Sequence, residues 1–447
     1  MRIVSAIADT IISDLKPVYG IYPWFIIKIQ LSYQLHLTYA KGQLPDFSKH
    51  KLKCTKPIED KKKTVKLAIQ LLKSALKLIR IHFKSQLLQP EVVAVGYTSH
   101  NNLTDDRNEN PYLHPHLNNL ALKTEYLYYI DDASTPSPER NYLKQLIAFF
   151  TLYYKLKAVI NPRDKKLVMQ YGKQINKELA SRIEQPICGL EQFLAERIIE
   201  YKVHYLAYKY WLKKLTPNTV MGYCYYDNRV NALFTAANKL GVKTIECQHS
   251  VISNNHFAYA KWENADKLVN HFPNTFFAWS SVDEHLIKQN FSTNTFIPNV
   301  EVKGLVHLNA IKSKGENNSN SNIVICLQGI WMPDWLETYI RNDERYQWYI
   351  RLHPRYPNDK KQLDNLDSLQ KTNLHTHNAN TQSLEQLLQQ TNTLITCFSG
   401  AALEAQALGV KVLIYGEEGK TTYNEYITKG QFSYIDNKIN LETCISS

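Results

Sequence analysis

The 447-residue chain is too long for one ordinary core, so two domains plus an extension are expected. Its 44% hydrophobic and 21% charged residues, with a mean hydropathy of −0.38, are those of a soluble globular protein. The formal charge of +12 is uneven: residues 1–90 carry +11 and all the rest +1, which calls for a local explanation.

No run reaches the roughly 18–20 apolar residues that a spanning helix needs. The best candidate, Ile21–Ile27, is broken by Pro23 and stopped by Lys28. The N-terminus lacks the ordered basic, apolar and small-residue regions of a signal peptide. The seven cysteines form no C-x-x-C pair and no metal spacing. These features point to a cytoplasmic protein with reduced thiols.

Residues 1–55 read as short helices with turns at Lys16-Pro17 and Tyr22-Pro23. Residues 59–89 carry the clearest helix signal. Val65, Ala68, Leu72, Leu76, Ile79 and Phe83 recur at spacings of three and four and share one face. Lys66, Lys73, Lys77, Arg80 and Lys84 fall largely opposite. Such a helix either packs its apolar face on the body or docks on an anionic membrane surface.

Val92–Gly96 is a buried-strand pattern that opens into a polar loop holding Asp105 and Asp106, with no G-x-G-x-x-G fingerprint. Thr124–Ile130 reads as a second strand, and residues 138–215 as packed helices. From 219 the alternation is regular: strand Thr219–Tyr226, helix Asn228–Leu240 with Gly241 as its C-cap, strand Val242–Cys247, then strands Thr275–Trp279 and Thr295–Gly304. Lys312–Asn322 is polar and of low complexity, a linker. Five further strands follow, at Ile323–Leu327, Gln347–Leu352, Thr372–Thr376, Thr393–Cys397 and Lys411–Tyr415, with helices between. Strands alternating with helices imply parallel sheets covered on both faces. The expected class is α/β, two Rossmann-like domains (90–308 and 323–447) joined by a linker at 309–322 and facing a central cleft. Residues 1–89 form a basic helical extension.

Three motifs sit where such sheets bind ligands, at the carboxyl ends of strands. Pro354 drives His353 out of the helical region, so Arg351-Leu-His-Pro354 ends its strand with an imidazole able to donate to a phosphate. Ser399-Gly400-Ala401-Ala402 opens a helix whose free N–H groups a phosphate can approach, with Glu404 one turn in, within reach of ribose hydroxyls. Glu246-Cys-Gln-His-Ser250, followed by Asn254, ends a strand of the first domain and supplies Gln248 and His249 to the same cleft. Asp106 and Asp227, at strand-end loops, are candidates for a base that takes a proton from an acceptor hydroxyl. His249 is a third. No D-x-D follows a strand, so no metal is indicated. Each residue also has a structural alternative: a turn, a cap or a satisfied loop.

Taken together, these pieces resemble the two-Rossmann (GT-B) glycosyltransferases of bacterial capsule and surface-polysaccharide synthesis. That group includes the Kdo and nonulosonic acid transferases that use CMP-sugars, and the polyol-phosphate polymerases. Glu246–Ser250 is similar to the family's E-x-Q-H-G, Arg351–Pro354 to its HP motif, and Phe398–Ala405 with Gly409 to its serine motif. Ser250 departs from the family's glycine. The resemblance spans roughly residues 90–440 and implies that His353 and Ser399 hold the donor's phosphate. It further implies a CMP-sugar donor, no additional cofactor, a lipid-linked glycan acceptor and closure of the two domains about the linker. A basic extension then fits a protein on the inner face of the cytoplasmic membrane. CDP-polyol or UDP-sugar donors, and a non-catalytic scaffold, are the alternatives. Nucleic acid is not an expected partner, because the basic residues lack interleaved aromatics.

Overall fold

In the computed structural model the described residues are 61–84, 86–100, 109–120, 124–132, 136–160, 163–183, 187–262, 265–308, 322–353 and 359–446, with Lys28, Leu31, Asp46 and Phe47. The turns expected before residue 55, Asp105, Asp106, Pro354 and nearly all of the expected linker lie outside them. The chain divides into two compact units. One comprises residues 1–249, 257–278 and 287–301; the other comprises 302–447 with the short segments 250–256 and 279–286. Both units are α/β and Rossmann-like, each with a parallel sheet.

Among the described residues the first unit has six strands: β1 (Val92–Gly96), β2 (Glu125–Tyr129), β3 (Thr219–Gly222), β4 (Lys243–Cys247), β5 (Thr275–Ala278) and β6 (Asn299–Val302), in the order β2-β1-β3-β4-β5-β6. β1 is buried along its whole length, as a strand flanked on both sides in a covered sheet must be. Val95 pairs with Tyr128 on one side and Gly222 on the other. A Cβ at Gly222 would collide with Val95, so this approach requires glycine.

Among the described residues this unit has the helices α1 (Lys61–Lys84), α2 (His114–Asn118), α3 (Pro138–Ile160), α4 (Arg163–Ile183), α5 (Leu190–Leu215) and α6 (Asn228–Asn238). α5 is the buried spine. Its Tyr201 hydroxyl meets Asn231, Thr235 and His271 at 2.7–2.9 Å, and its Trp211 indole donates to the Glu139 carbonyl at 3.1 Å. Gly241 sits at φ +73°, the left-handed position that ends α6. β3 stops at Gly222, four residues short of the expected strand, because Cys224 turns the chain at φ +59°.

α1 packs along α3 through buried Leu67 and through His82, whose Nδ1 lies 2.9 Å from the Tyr142 hydroxyl. Of the two settings open to its apolar face, packing on the body is not the one adopted: Val65, Ala68, Leu72, Leu76, Ile79 and Phe83 are all exposed. The basic residues run along the flank of that face, because α3 occupies the side opposite to it.

After α7 (Ser281–Phe291), the second unit has β7 (Asn322–Cys326), α8 (Asp334–Asn342), β8 (Gln347–Arg351), α9 (Lys360–Asp367), α10 (Thr376–Thr381), α11 (Leu384–Gln389), β9 (Thr393–Thr396), α12 (Ala401–Ala407), β10 (Lys411–Tyr415), α13 (Gly416–Thr422), α14 (Asn424–Thr428), β11 (Ser433–Ile435) and α15 (Lys438–Ser446). Its sheet order is β11-β10-β9-β7-β8. Thr372–Thr376 does not form the expected strand and contributes one bridge, Leu374 to Trp348. Gln370 reverses the chain at φ +50°, the Trp348 N–H then donates to the Asn373 carbonyl and the His375 N–H to the Trp348 carbonyl, both at 2.8 Å, and the pairing stops there because α10 starts at Thr376. The fifth strand is β11.

Candidate functional site

In each unit the strand order reverses at one point, and open parallel sheets bind ligands beyond the carboxyl ends of the strands that flank such a reversal. In the first unit the reversal lies between β1 and β3, and in the second between β7 and β9.

At the first reversal the chain places a ring of aromatic and imidazole side chains. The Tyr223 hydroxyl accepts the Tyr97 N–H at 2.9 Å and the Asn110 Nδ2 at 2.9 Å, and lies 3.3 Å from His100 Nδ1. Tyr112 and Tyr223 lie beside His249, at ring-centroid distances of 6.0 and 5.4 Å. His249 Nε2 is 3.0 Å from both Cys224 Sγ and the Tyr226 hydroxyl, and its Nδ1 is 3.8 Å from Glu246 Oε1. Burial pushes the Tyr97 hydroxyl well above its ordinary range, and the negative charge of Asp227 adds to this.

Glu246 does not face an open crevice. It is fully buried, accepts the Tyr225 N–H at 3.3 and 3.2 Å and the Tyr259 hydroxyl at 3.0 Å, and so pins the turn between β3 and α6. Burial raises its carboxyl well above the usual range, favouring the neutral form, although these donors work against the rise. Gln248 is also buried, its N–H held by the Phe277 carbonyl at 3.0 Å. Asp227 is the N-cap of α6: its carboxylate accepts the N–H of Arg229 at 2.8 Å and of Val230 at 3.4 Å. Ser250 and Asn254 fall in the short segment that belongs to the second unit. Ser250 is not among the residues with positive φ, so the backbone at the position where the family has glycine is one that serine adopts freely.

At the second reversal, buried Ser399 follows β9. Its hydroxyl accepts the Ala401 N–H at 3.3 Å, and its carbonyl accepts the Tyr423 hydroxyl. A Cβ built on Gly400 would meet nothing, so there is open space at the start of α12. His353 is half-buried just beyond β8. Asn380 holds that strand end: its Oδ1 accepts the Leu352 N–H at 2.9 Å, and its Nδ2 donates to the Ile350 carbonyl at 2.9 Å. Arg351 does not reach toward a ligand. Its guanidinium donates to the carbonyls of Ala379 and Gln382 at 2.6 and 2.8 Å, tying β8 to α10. Glu404 is half-buried, and burial followed by the nearby charge of Glu385 pushes its carboxyl up to about 7, against the pull of Arg351.

Several residues at these points carry no signal in the sequence. Tyr97, Asn110, Tyr112 and Tyr223 carry no motif, because only the β1–β3 pairing brings positions more than a hundred residues apart together. Asp131 was missed beside a recognised strand. It accepts the N–H groups of Thr98 and Ser99 at 2.7 and 3.1 Å, and these outweigh burial to lower its carboxyl. Asp359 is buried near Gly329 at the end of β7, and burial raises its carboxyl. Among the described residues, no three His, Cys, Asp or Glu side chains converge to hold a metal ion.

No protein-family model matches the chain, and no curated protein does. Solved structures with a similar fold include the UDP-GlcNAc 2-epimerase of Neisseria meningitidis bound to UDP-GlcNAc. It shares 16% identity over 56% of this chain and 72% of that one, at a TM-score of 0.40. Another UDP-N-acetylglucosamine 2-epimerase shares 11% identity over 80% of this chain and 87% of its own, at 0.45. The lipopolysaccharide outer core galactosyltransferase WaaB shares 12% over 53% and 73%, at 0.32. At such identities and scores these likenesses assign no reaction.

Proposed function

We propose that the protein is a glycosyltransferase that takes its sugar from a CMP-activated donor, Kdo or a nonulosonic acid, and passes it to a lipid-linked bacterial surface glycan. The supporting observation is the arrangement at the reversal between β7 and β9: the Ser399 hydroxyl turned onto the Ala401 N–H, with open space above Gly400. A nucleotide phosphate accepted there would meet backbone N–H groups and small side chains, with the His353 imidazole as a further donor. Glu404, titrating near neutrality, is suited to ribose hydroxyls because it can both donate and accept. Arg351 is a positioning residue for the strand that carries His353.

In this reading His249 is the base. It takes the proton of the acceptor hydroxyl as that oxygen bonds to the anomeric carbon. The bond from that carbon to the donor phosphate breaks, and the nucleotide leaves with the electron pair. Glu246 fixes the turn around the imidazole, and Gln248, Ser250 and Asn254 belong to the acceptor side. The reaction belongs at the inner face of an anionic membrane, where such acceptors reside.

Calorimetric titration with CMP, CDP and UDP, on the native protein and on His353→Ala, tests the reading. Binding of CMP that is lost in the variant is the expected result. Preference for UDP moves the donor class, and binding of no nucleotide by the folded protein refutes the transferase and leaves a non-catalytic scaffold.

A further inference from the structure

α1 presents three faces. One is closed by α3, through Leu67 and the His82–Tyr142 hydrogen bond. A second is an apolar stripe formed by Val65, Ile69, Leu72, Leu76, Ile79 and Phe83 at strict spacings of four and three, which runs about 27 Å along the helix. This stripe is open, with Leu72 62%, Leu76 60% and Phe83 81% exposed. The third face lies roughly 60–120° around the axis from the stripe and carries Lys66, Lys73, Lys77 and Arg80, all exposed. The helix contains seven lysines and one arginine and not a single carboxylate.

A continuous exposed apolar stripe of this length requires a cover, and the charges select it. A second copy of α1 packed along the same seam would place Lys66, Lys73 and Arg80 at its edge, facing lysines or alanines and never a carboxylate, so self-association is opposed. The described residues include no helix long and apolar enough to cross a membrane. An amphipathic helix with apolar residues on one side and a basic flank is built to lie in the plane of a bilayer interface.

We propose that α1 docks the protein on an anionic phospholipid surface, with Leu72, Leu76 and Phe83 entering the acyl boundary and Lys66, Lys73, Lys77 and Arg80 at the headgroups. The inference deepens the membrane part of the reading above and rests on it only for the choice of leaflet. Because α3 closes the face that carries Leu67 and His82, the docked helix has one rotational setting, with its α3 side turned away from the lipid.

The test is flotation of the full-length protein with vesicles of phosphatidylcholine alone and of phosphatidylcholine with about a third phosphatidylglycerol. Binding to the anionic vesicles only, weakened by salt, is expected. Replacing Lys66, Lys73 and Arg80 by Gln lowers binding about a hundredfold, since each basic side chain at such a surface contributes a factor of about five. Replacing Leu72, Leu76 and Phe83 by Ser lowers it at least about tenfold at unchanged charge. All six positions are exposed, so these variants keep the fold, which unchanged thermal unfolding verifies. Equal binding to neutral vesicles, indifference to the Ser substitutions, or a concentration-dependent dimer that they abolish each overturns the proposal. Nucleotide titration of the same samples separates the two readings: docking without nucleotide binding leaves this inference standing and removes the transferase.

Discussion

Glu404→Gln isolates one titration that the fold imposes. The carboxyl, ordinarily at 4.5, is raised to about 7, chiefly by burial and then by Glu385. The folded protein therefore holds this proton more tightly than the unfolded chain does. Below about pH 4.5 both states are protonated and the folded state keeps the full benefit. As pH rises toward 7 the unfolded chain releases the proton first, and stability falls. The gap between 4.5 and about 7 corresponds to about 3 kcal/mol, most of which develops between pH 5 and pH 8. Glutamine keeps the shape and cannot ionise, so the variant gains on the native protein as pH rises. Urea unfolding of both proteins, followed at about pH 5 and about pH 8, reads the difference directly. The variant should be ahead by up to about 3 kcal/mol at the higher pH and by about 1 kcal/mol or less at the lower. Comparing the two proteins at each pH cancels the titrating groups that do not interact with Glu404. A gap that does not change with pH would refute the argument, and Glu385→Gln should shrink it by lowering the Glu404 carboxyl toward its ordinary value.

Three further substitutions separate the roles in the first unit. Asp227→Ala removes the N-cap of α6 and should cost about 1 kcal/mol in thermal unfolding while transfer continues. On the proposed function, His249→Ala should instead lower the transfer rate by about a hundredfold or more, as loss of a general base does, with the melting temperature little changed. Glu246→Ala strips the buried partner from the Tyr225 N–H and the Tyr259 hydroxyl, and unfolding should show a loss of about 3 kcal/mol. A loss of under about 1 kcal/mol would mean that the turn between β3 and α6 is held by other contacts.

Legibility in the sequence followed the range of the interaction. Strands with buried apolar runs, such as Val92–Val95 and Ile323–Ile325, announce themselves because a covered parallel strand has no polar face to alternate. Gly241 was legible as a C-cap because helix ends use local backbone geometry. Thr372–Thr376 was read as a full strand because its threonines suggest one, whereas it pairs with β8 only around Trp348 before α10 starts at Thr376. The strand at Ser433–Ile435 was missed because three residues carry too little periodicity to stand out. The motif residues were visible in the sequence, but the groups they bond to were not. Arg351 and Asp227 read as groups aimed at a ligand, yet each is consumed by backbone groups that no one-dimensional pattern displays.

The same distinction explains why the first unit's site could not be assembled from its motif alone. Glu246, Gln248 and His249 are adjacent in sequence, but two of the three are buried, and only His249 joins the aromatic ring at the β1–β3 reversal. What surrounds it arrives from β1, from the segment before α2 and from the turn after β3. Tyr223 is the joint between these segments, since its one hydroxyl binds the Tyr97 N–H and the Asn110 side chain while its ring lies beside His249. The imidazole therefore owes its surroundings to strand order: a sheet running β1-β2-β3 without reversal would place β2 between Tyr97 and Tyr223. The residue type was visible in the sequence, but the setting that would make it a base follows from the topology.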